Sequence, residues 1–215
     1  MAALLVALIA LVMASTRENV PSDFGSTVSP GRHERGGGRS GSVGGRPDVP
    51  VRMSLPRQDV RAAVVPVGTT ASGQLDVPSD ADDVGWYRAG ARPGSASGSA
   101  VLVGHVDSRS GSLGTLAALA SVLAGDRILV RTADGSAVHY RITARRSVSR
   151  NAFPHRIFRG SGPPVLVLVT CAPPFDAERG GYQRLLLVTA VPDERGRRPE
   201  KPHARESRGR PGPRR

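Results

Sequence analysis

The sequence predicts an all-β protein: a closed or nearly closed β-barrel with one or two short helices, between termini that lack regular structure. Seven short segments of residues 57–192 are β-branched or alternate between apolar and polar side chains, and turn residues bound them. One further segment has helical spacing, and both ends of the chain are rich in glycine, proline and arginine. Closure is favoured because it leaves a small domain with few exposed strand edges.

The first 14 residues form an apolar segment that indicates export. Its apolar run, within MAALLVALIALVMAS, has the length of a signal-peptide core and is short for a bilayer span, which needs roughly 20 residues. No cationic residue precedes the run, so a cleaved signal peptide and an incomplete membrane anchor both stay open. Residues 15–56 are predicted to form a flexible linker, residues 57–192 the folded domain, and residues 193–215 a basic disordered tail.

The net charge of +12 does not indicate a nucleic-acid-binding domain. Residues 57–192 carry 15 basic and 10 acidic side chains, whereas the short tail alone carries 9 and 4. The predicted domain is therefore only mildly basic, and the tail is a solvated end that could touch anionic lipid or wall polymer. The single cysteine excludes an intramolecular disulfide and a cysteine-rich zinc site, and we expect neither a metal nor an organic cofactor.

The predicted strands follow one another closely along the domain. In chain order they are RAAVVPV (61–67), GQLDVP (73–78), SAVLVGH (99–105), DRILVRT (126–132), AVHYRITA (137–144), VLVLVT (165–170) and RLLLVTAV (184–191). Asp134 and Gly135 lie between two of them and predict a tight type I′ hairpin, which requires positive φ. The helical segment, GSLGTLAALASVLAGD, is predicted to end at Gly125. Its helical spacing places four apolar side chains on one face: Leu113, Leu116, Ala120 and Leu123.

Two of these strands end at a chemically active side chain. His105 lies in SAVLVGHVDS, and Cys171 lies in VLVLVTCAPP. Each of the two residues follows an apolar run and precedes predicted loop residues. If the two strands are parallel neighbours, both side chains emerge at the same rim of the barrel. A thiol is a weak nucleophile at neutral pH, and a nearby imidazole can activate it or share its proton. Pro173 and Pro174 are expected to stop the strand after the cysteine.

Acyl transfer also needs a group that stabilises negative charge on the carbonyl oxygen. Arg184 opens the last apolar strand, and a strand, a turn and a returning strand bring it back beside Cys171. Arg179, in the preceding DAERGGYQR segment, is a rival for this role. Asp107 follows His105 by two residues and could orient it or cap a turn.

The motifs DVGWYRAGARPG, SAVLVGHVDS, LVTCAPPFD and YQRLLLVTA resemble those of sortases, the surface cysteine transpeptidases of Gram-positive bacteria. GWY, GHVDS and FPHRIF are most similar to class F sortases of actinobacteria. The resemblance covers residues 57–192 and implies an eight-stranded barrel, a membrane-tethered N-terminus and a His–Cys–Arg site. By this resemblance, His105 corresponds to the catalytic histidine, Cys171 to the nucleophile and Arg184 to the catalytic arginine.

The resemblance also implies substrates and partners. The enzyme would cleave an LPxTG-like sorting signal in exported proteins and join it to a cell-wall amine, at the outer face of the cell. Thr170 and Asp107 are the predicted substrate-binding residues, and no nucleic acid is expected to bind. Two alternatives stay open: a cysteine peptidase that uses water as acceptor, and a non-catalytic barrel that binds peptide or wall polymer.

Overall fold

The computed structural model describes residues 21–25, 47–108 and 110–193. The predicted export segment, most of the predicted linker and nearly all of the predicted tail lie outside the described residues.

Eight strands form one closed barrel, so the predicted all-β barrel is confirmed. The strands are β1 (Pro50–Leu55), β2 (Val60–Val67), β3 (Val84–Tyr87), β4 (Ser99–Val103), β5 (Arg127–Thr132), β6 (Ala137–Ser149), β7 (Val165–Asp176) and β8 (Gly181–Pro192). Around the barrel their order is β1-β2-β3-β4-β7-β8-β6-β5. The pairs β2–β3 and β4–β7 are parallel, and the other neighbouring pairs are antiparallel.

The barrel begins earlier in the chain than the sequence indicated. β1 lies in the predicted linker, yet it pairs with both β2 and β5 and buries Met53 and Leu55 completely. Phe24, also in the predicted linker, forms a β-bridge with Arg145. The predicted domain start at Arg57 is therefore too late, because arginine and proline around β1 obscured its alternation.

Both faces of β4 and of the first half of β7 are buried, which explains why residues 100–103 and 165–169 are continuously apolar. One face contributes Leu102 and Leu168 to the barrel interior. The other contributes Val101 and Val167 to a second apolar cluster, which also contains Ile157 from the connection between β6 and β7. That connection holds two 3-10 helices, at Arg150–Ala152 and His155–Phe158.

The predicted helical segment forms a 3-10 helix over Thr115–Ser121. Its fully buried side chains, Leu116, Leu119 and Val122, recur every three residues, which matches the period of a 3-10 helix. Leu113 is 77% exposed and Leu123 is 47% exposed, so the predicted α-helical face is wrong.

The predicted hairpin turn and the predicted end of the strand at the cysteine also differ from the structure. Only Gly135 has positive φ (+82°) in the β5–β6 turn, so the type I′ hairpin, which needs two such residues, is wrong. β7 does not stop after the cysteine. It continues through the cis-linked prolines Pro173 and Pro174 as an irregularity in the ladder, and pairing with β8 resumes at Phe175.

Candidate active site

The parallel pairing of β4 with β7 brings together the two segments that carry His105 and Cys171. Val103 lies opposite Val169, and the contact continues beyond β4 because Gly104 N donates to Val169 O at 3.2 Å. His105 and Cys171 each follow their paired valine by two residues. The segments of the two residues therefore run side by side; Cys171, within β7, shares the face of Val169, and His105 lies two residues beyond the end of β4.

Thr170 connects the two segments from inside. Its side chain is buried, at 2% exposure, and its hydroxyl donates to Gly104 O at 2.9 Å. The bond joins the residue before Cys171 to the residue before His105. The predicted substrate-binding role of Thr170 stays a prediction; in the structure the hydroxyl is used to hold these two segments together.

His105 is held by contacts with two parts of the chain, Pro78 and the segment at residues 114–116. Its Nε2 lies 2.7 Å from Pro78 O. Because a carbonyl oxygen only accepts, Nε2 is the donor in this contact, and Nδ1 is left for proton exchange. The backbone of His105 accepts from Leu116 N at 3.1 Å. A Cβ at Gly114 would meet His105 O at 2.6 Å, so glycine is required at this position for close packing.

Cys171 is half-buried, and its surroundings favour the neutral thiol. Burial raises the pKa of the thiol above its ordinary value because the thiolate loses hydration. The positive charge of Arg150 lowers this pKa, and the negative charge of Asp107 raises it. Burial is the largest of the three effects, so the resting site holds a protonated thiol at neutral pH.

Asp107 is positioned by a residue of the returning strand. Tyr182 donates its hydroxyl to Asp107 Oδ2 at 2.6 Å, and the Tyr182 ring packs edge-on against Phe175 at 5.1 Å between centroids. Asp107 also forms a β-bridge with Leu113. Its predicted substrate-binding role stays a prediction; the observed contact ties the loop after His105 to the start of β8.

Arg184 lies close to Cys171 along the sheet but is engaged elsewhere. It stands directly across from Ala172, whose side chain is in the barrel interior, whereas Cys171 stands across from Leu185. The guanidinium donates to Ser147, from Nε to Oγ at 2.7 Å and from Nη2 to the carbonyl oxygen at 2.8 Å. The predicted catalytic role of Arg184 stays a prediction; in the structure its guanidinium is bonded to Ser147.

The rival arginine, Arg179, lies in the turn between β7 and β8. Its Nε is 3.3 Å from Asp176 Oδ2, and its side chain is 76% exposed. It lines a cleft of about 650 Å³ between this turn and the segment after β6. Cys171 does not line that cleft.

Arg150 is a candidate site residue that the sequence did not indicate. It follows Ser149, which pairs with Arg184, and it donates from Nη1 to Gly180 O at 3.1 Å across the cleft. Its charge acts on the Cys171 thiol, as described above. No local motif marks it in SVSRNAF; only the β6–β8 register brings it to this end of the barrel.

Within the described ranges, no group of three or more His, Cys, Asp or Glu side chains could hold a metal ion. In the same ranges, no helix has the length and apolar character needed to cross a membrane.

The family described as Sortase domain matches residues 53–193, which is most of the chain and the whole barrel apart from the start of β1. The chain belongs to the sortase family. Sortases are cysteine transpeptidases at the surface of Gram-positive bacteria. No curated protein sequence matches this sortase.

Solved sortases share the fold at low identity. Sortase A from Corynebacterium diphtheriae is 20% identical, with a TM-score of 0.52 over 74% of this chain and 65% of that chain. Sortase C1 from Streptococcus agalactiae is also 20% identical, with a TM-score of 0.52 over 66% of each chain. Sortase C-1 from Actinomyces oris is 21% identical, with a TM-score of 0.52 over 66% of this chain and 72% of that chain. This chain thus spans slightly less than two thirds of the length of the first two of these solved sortases. At this level of identity, the likeness shows the fold alone.

Proposed function

We propose that this protein is a class F-like transpeptidase of an actinobacterial cell surface. It cleaves an LPxTG-like sorting signal in exported proteins and transfers the acyl fragment to a cell-wall amine. The observation that carries the proposal is the parallel β4–β7 pairing, which places the segments of His105 and Cys171 side by side. Acyl transfer requires a nucleophile close to a proton carrier, and because burial raises the pKa of the Cys171 thiol, a base such as His105 is needed to take its proton.

The first half-reaction forms a thioester. His105 Nδ1 accepts the thiol proton, and the sulfur of Cys171 attacks the backbone carbonyl carbon of the sorting signal. The C–N bond then breaks, and the departing amine takes the proton back from Nδ1. Throughout, Pro78 O holds Nε2–H, so the ring keeps the orientation that the two proton transfers need.

The second half-reaction restores the thiol. An amino group attacks the thioester carbonyl, and His105 Nδ1 accepts the proton that the amine loses. The C–S bond breaks, a new amide forms, and the proton returns to the sulfur of Cys171. The balance needs no cofactor and no oxidant, because one amide is exchanged for another.

Two arginines are assigned different parts of this reaction. Arg184, released from Ser147 when peptide binds, stabilises the oxyanion or positions the peptide. Arg150 stabilises the thiolate, which is supported by its effect on the thiol pKa and by its place beside the cleft. Arg184→Gln should lower peptide turnover without moving the pH profile of thiol alkylation. Arg150→Gln should move that profile.

The proposed reaction is tested by the identity of its products. An LPxTG-type peptide is incubated with the enzyme, with and without an added amine, and the products are separated by mass. We expect an amide between the peptide fragment and the amine, formed at the expense of the free acid. Free acid alone, at any amine concentration, would instead assign the site to a cysteine peptidase. No product with a broad panel of such peptides would favour a binding barrel.

A further inference from the structure

A continuous basic surface lies on the outward side of four neighbouring strands, β6, β5, β1 and β2. The sequences of these strands contain no acidic residue. Five arginines on this side are exposed, and we call the surface they form the basic face: Arg52, Arg61, Arg127, Arg131 and Arg141.

The strand register places like charges directly opposite each other on the basic face. Arg52 pairs with Arg131 between β1 and β5, and Arg127 pairs with Arg141 between β5 and β6. Like charges in such pairs repel and weaken the sheet. In the part of the chain that the structure describes, Arg127 has only a long contact of 3.9 Å with Asp193 as an ion pair, and the other four arginines form none. The face thus carries positive charge that an anionic partner would neutralise.

The centre of the basic face, the β1–β5 pair, is on the far side of the barrel from the β4–β7 pair. In the closed strand order, two strands separate the β1–β5 pair from the β4–β7 pair in either direction. Cys171 lies on β7, on the side covered by the β6–β7 connection. A partner bound to the basic face would therefore leave the thiol accessible.

β1 begins and β8 ends beside the basic face, whereas the earlier residues 21–25 pack against β6 at Arg145. Pro50, the first residue of β1, pairs with Thr132 at the end of β5, and Asp193 N donates to His139 O of β6 at 2.8 Å. The chain that precedes β1 opens with the apolar run, and residues 194–215 carry 9 basic and 3 acidic side chains. Val51, 42% exposed, adds an apolar side chain next to the arginines. A basic face, in a sequence that also contains an apolar run and a basic tail, fits a bilayer surface better than a soluble polymer.

We propose that the basic face binds the surface of an anionic lipid bilayer and turns the Cys171 side of the barrel away from it. The interaction is with phospholipid headgroups and does not require insertion of the barrel. It goes beyond the proposed reaction, and it can be tested without measuring peptide cleavage.

The test is vesicle co-sedimentation of the full chain. Vesicles of phosphatidylcholine alone are compared with vesicles that also contain phosphatidylglycerol, so that insertion of the apolar run is common to both. Each arginine at such a surface should strengthen binding roughly fivefold. The double variant Arg52→Glu with Arg131→Glu should therefore weaken binding to the anionic vesicles roughly 25-fold or more. Both members of the pair change sign together, so their mutual repulsion, and hence the fold, is little altered.

The matched control is Arg88→Glu with Arg156→Glu, which makes the same change in net charge at exposed positions outside the basic face. It should keep most of the preference for anionic vesicles. Equal losses in the two double variants would overturn the proposal, because net charge alone would then explain binding. A second basic-face variant, Arg127→Gln with Arg141→Gln, should also lose the preference. Binding to soluble poly(glycerol phosphate) without a preference for anionic vesicles would assign the face to a wall polymer instead.

Discussion

Replacing Thr170 with valine removes one hydroxyl and keeps the shape of the side chain. The hydroxyl donates to Gly104 O at 2.9 Å in a buried setting, so the variant leaves that carbonyl without this donor. An unsatisfied buried carbonyl costs about 1–2 kcal/mol of unfolding free energy, and the melting temperature should fall by roughly 3–8 °C. Because the bond also sets the spacing between the segments of His105 and Cys171, kcat should fall on the order of 10-fold.

The assay pairs thermal melting with peptide turnover, and two variants serve as controls. Thr170→Ser keeps the donor and should keep most of kcat. Thr143→Val removes a comparable bond, from Thr143 Oγ1 to Thr189 O at 3.2 Å, in the β6–β8 pairing away from the cysteine. It should lose stability and keep kcat. If Thr170→Val lost stability but turned over like the wild type, the bond would be structural only and our reasoning about positioning would be refuted.

Two further predictions concern charge. The rate of Cys171 alkylation by iodoacetamide should rise with pH to an inflection above the ordinary thiol pKa, since burial disfavours the thiolate. Asp107→Asn removes a negative charge and should lower that inflection, whereas Arg150→Gln removes a positive charge and should raise it; the reverse order would contradict the assignment of both charges. Arg145 is 4% exposed, and its guanidinium donates to the carbonyl oxygens of four residues. Arg145→Met should therefore cost about 3–5 kcal/mol in denaturant unfolding. The matched change at the more exposed Arg146 should cost less than about 1 kcal/mol, and equal costs would argue against the buried contacts.

The strands that carry the candidate site could be predicted because their signal is local. SAVLV and VLVLV are apolar apart from Ser99, and each leads within two residues to a reactive side chain, so both strands could be identified from the sequence. The parallel pairing of these strands was a condition in the sequence argument, and the structure supplies it.

The features that sequence reasoning missed depend on contacts between distant segments. His105 meets Pro78, 27 residues away, and Arg184 meets Ser147, 37 residues away. Arg150 reaches the site only through the β6–β8 register. The 3-10 helix was missed for another reason: its three buried side chains fit a period of three, while exposed leucines at the ends of the segment suggested a period of 3.6.

The central claim is that Cys171 forms a thioester with the sorting signal, and intact-mass analysis tests it most directly. The protein is incubated with LPxTG-type peptides without an amine, quenched in acid and weighed. We expect a mass increase equal to the acyl fragment of the peptide, its loss when an amine is added, and no increase in Cys171→Ala, whose fold should be nearly unchanged because a half-buried sulfur leaves little cavity. Peptide cleavage that persists in Cys171→Ala, or an acyl adduct on another residue, would contradict the account.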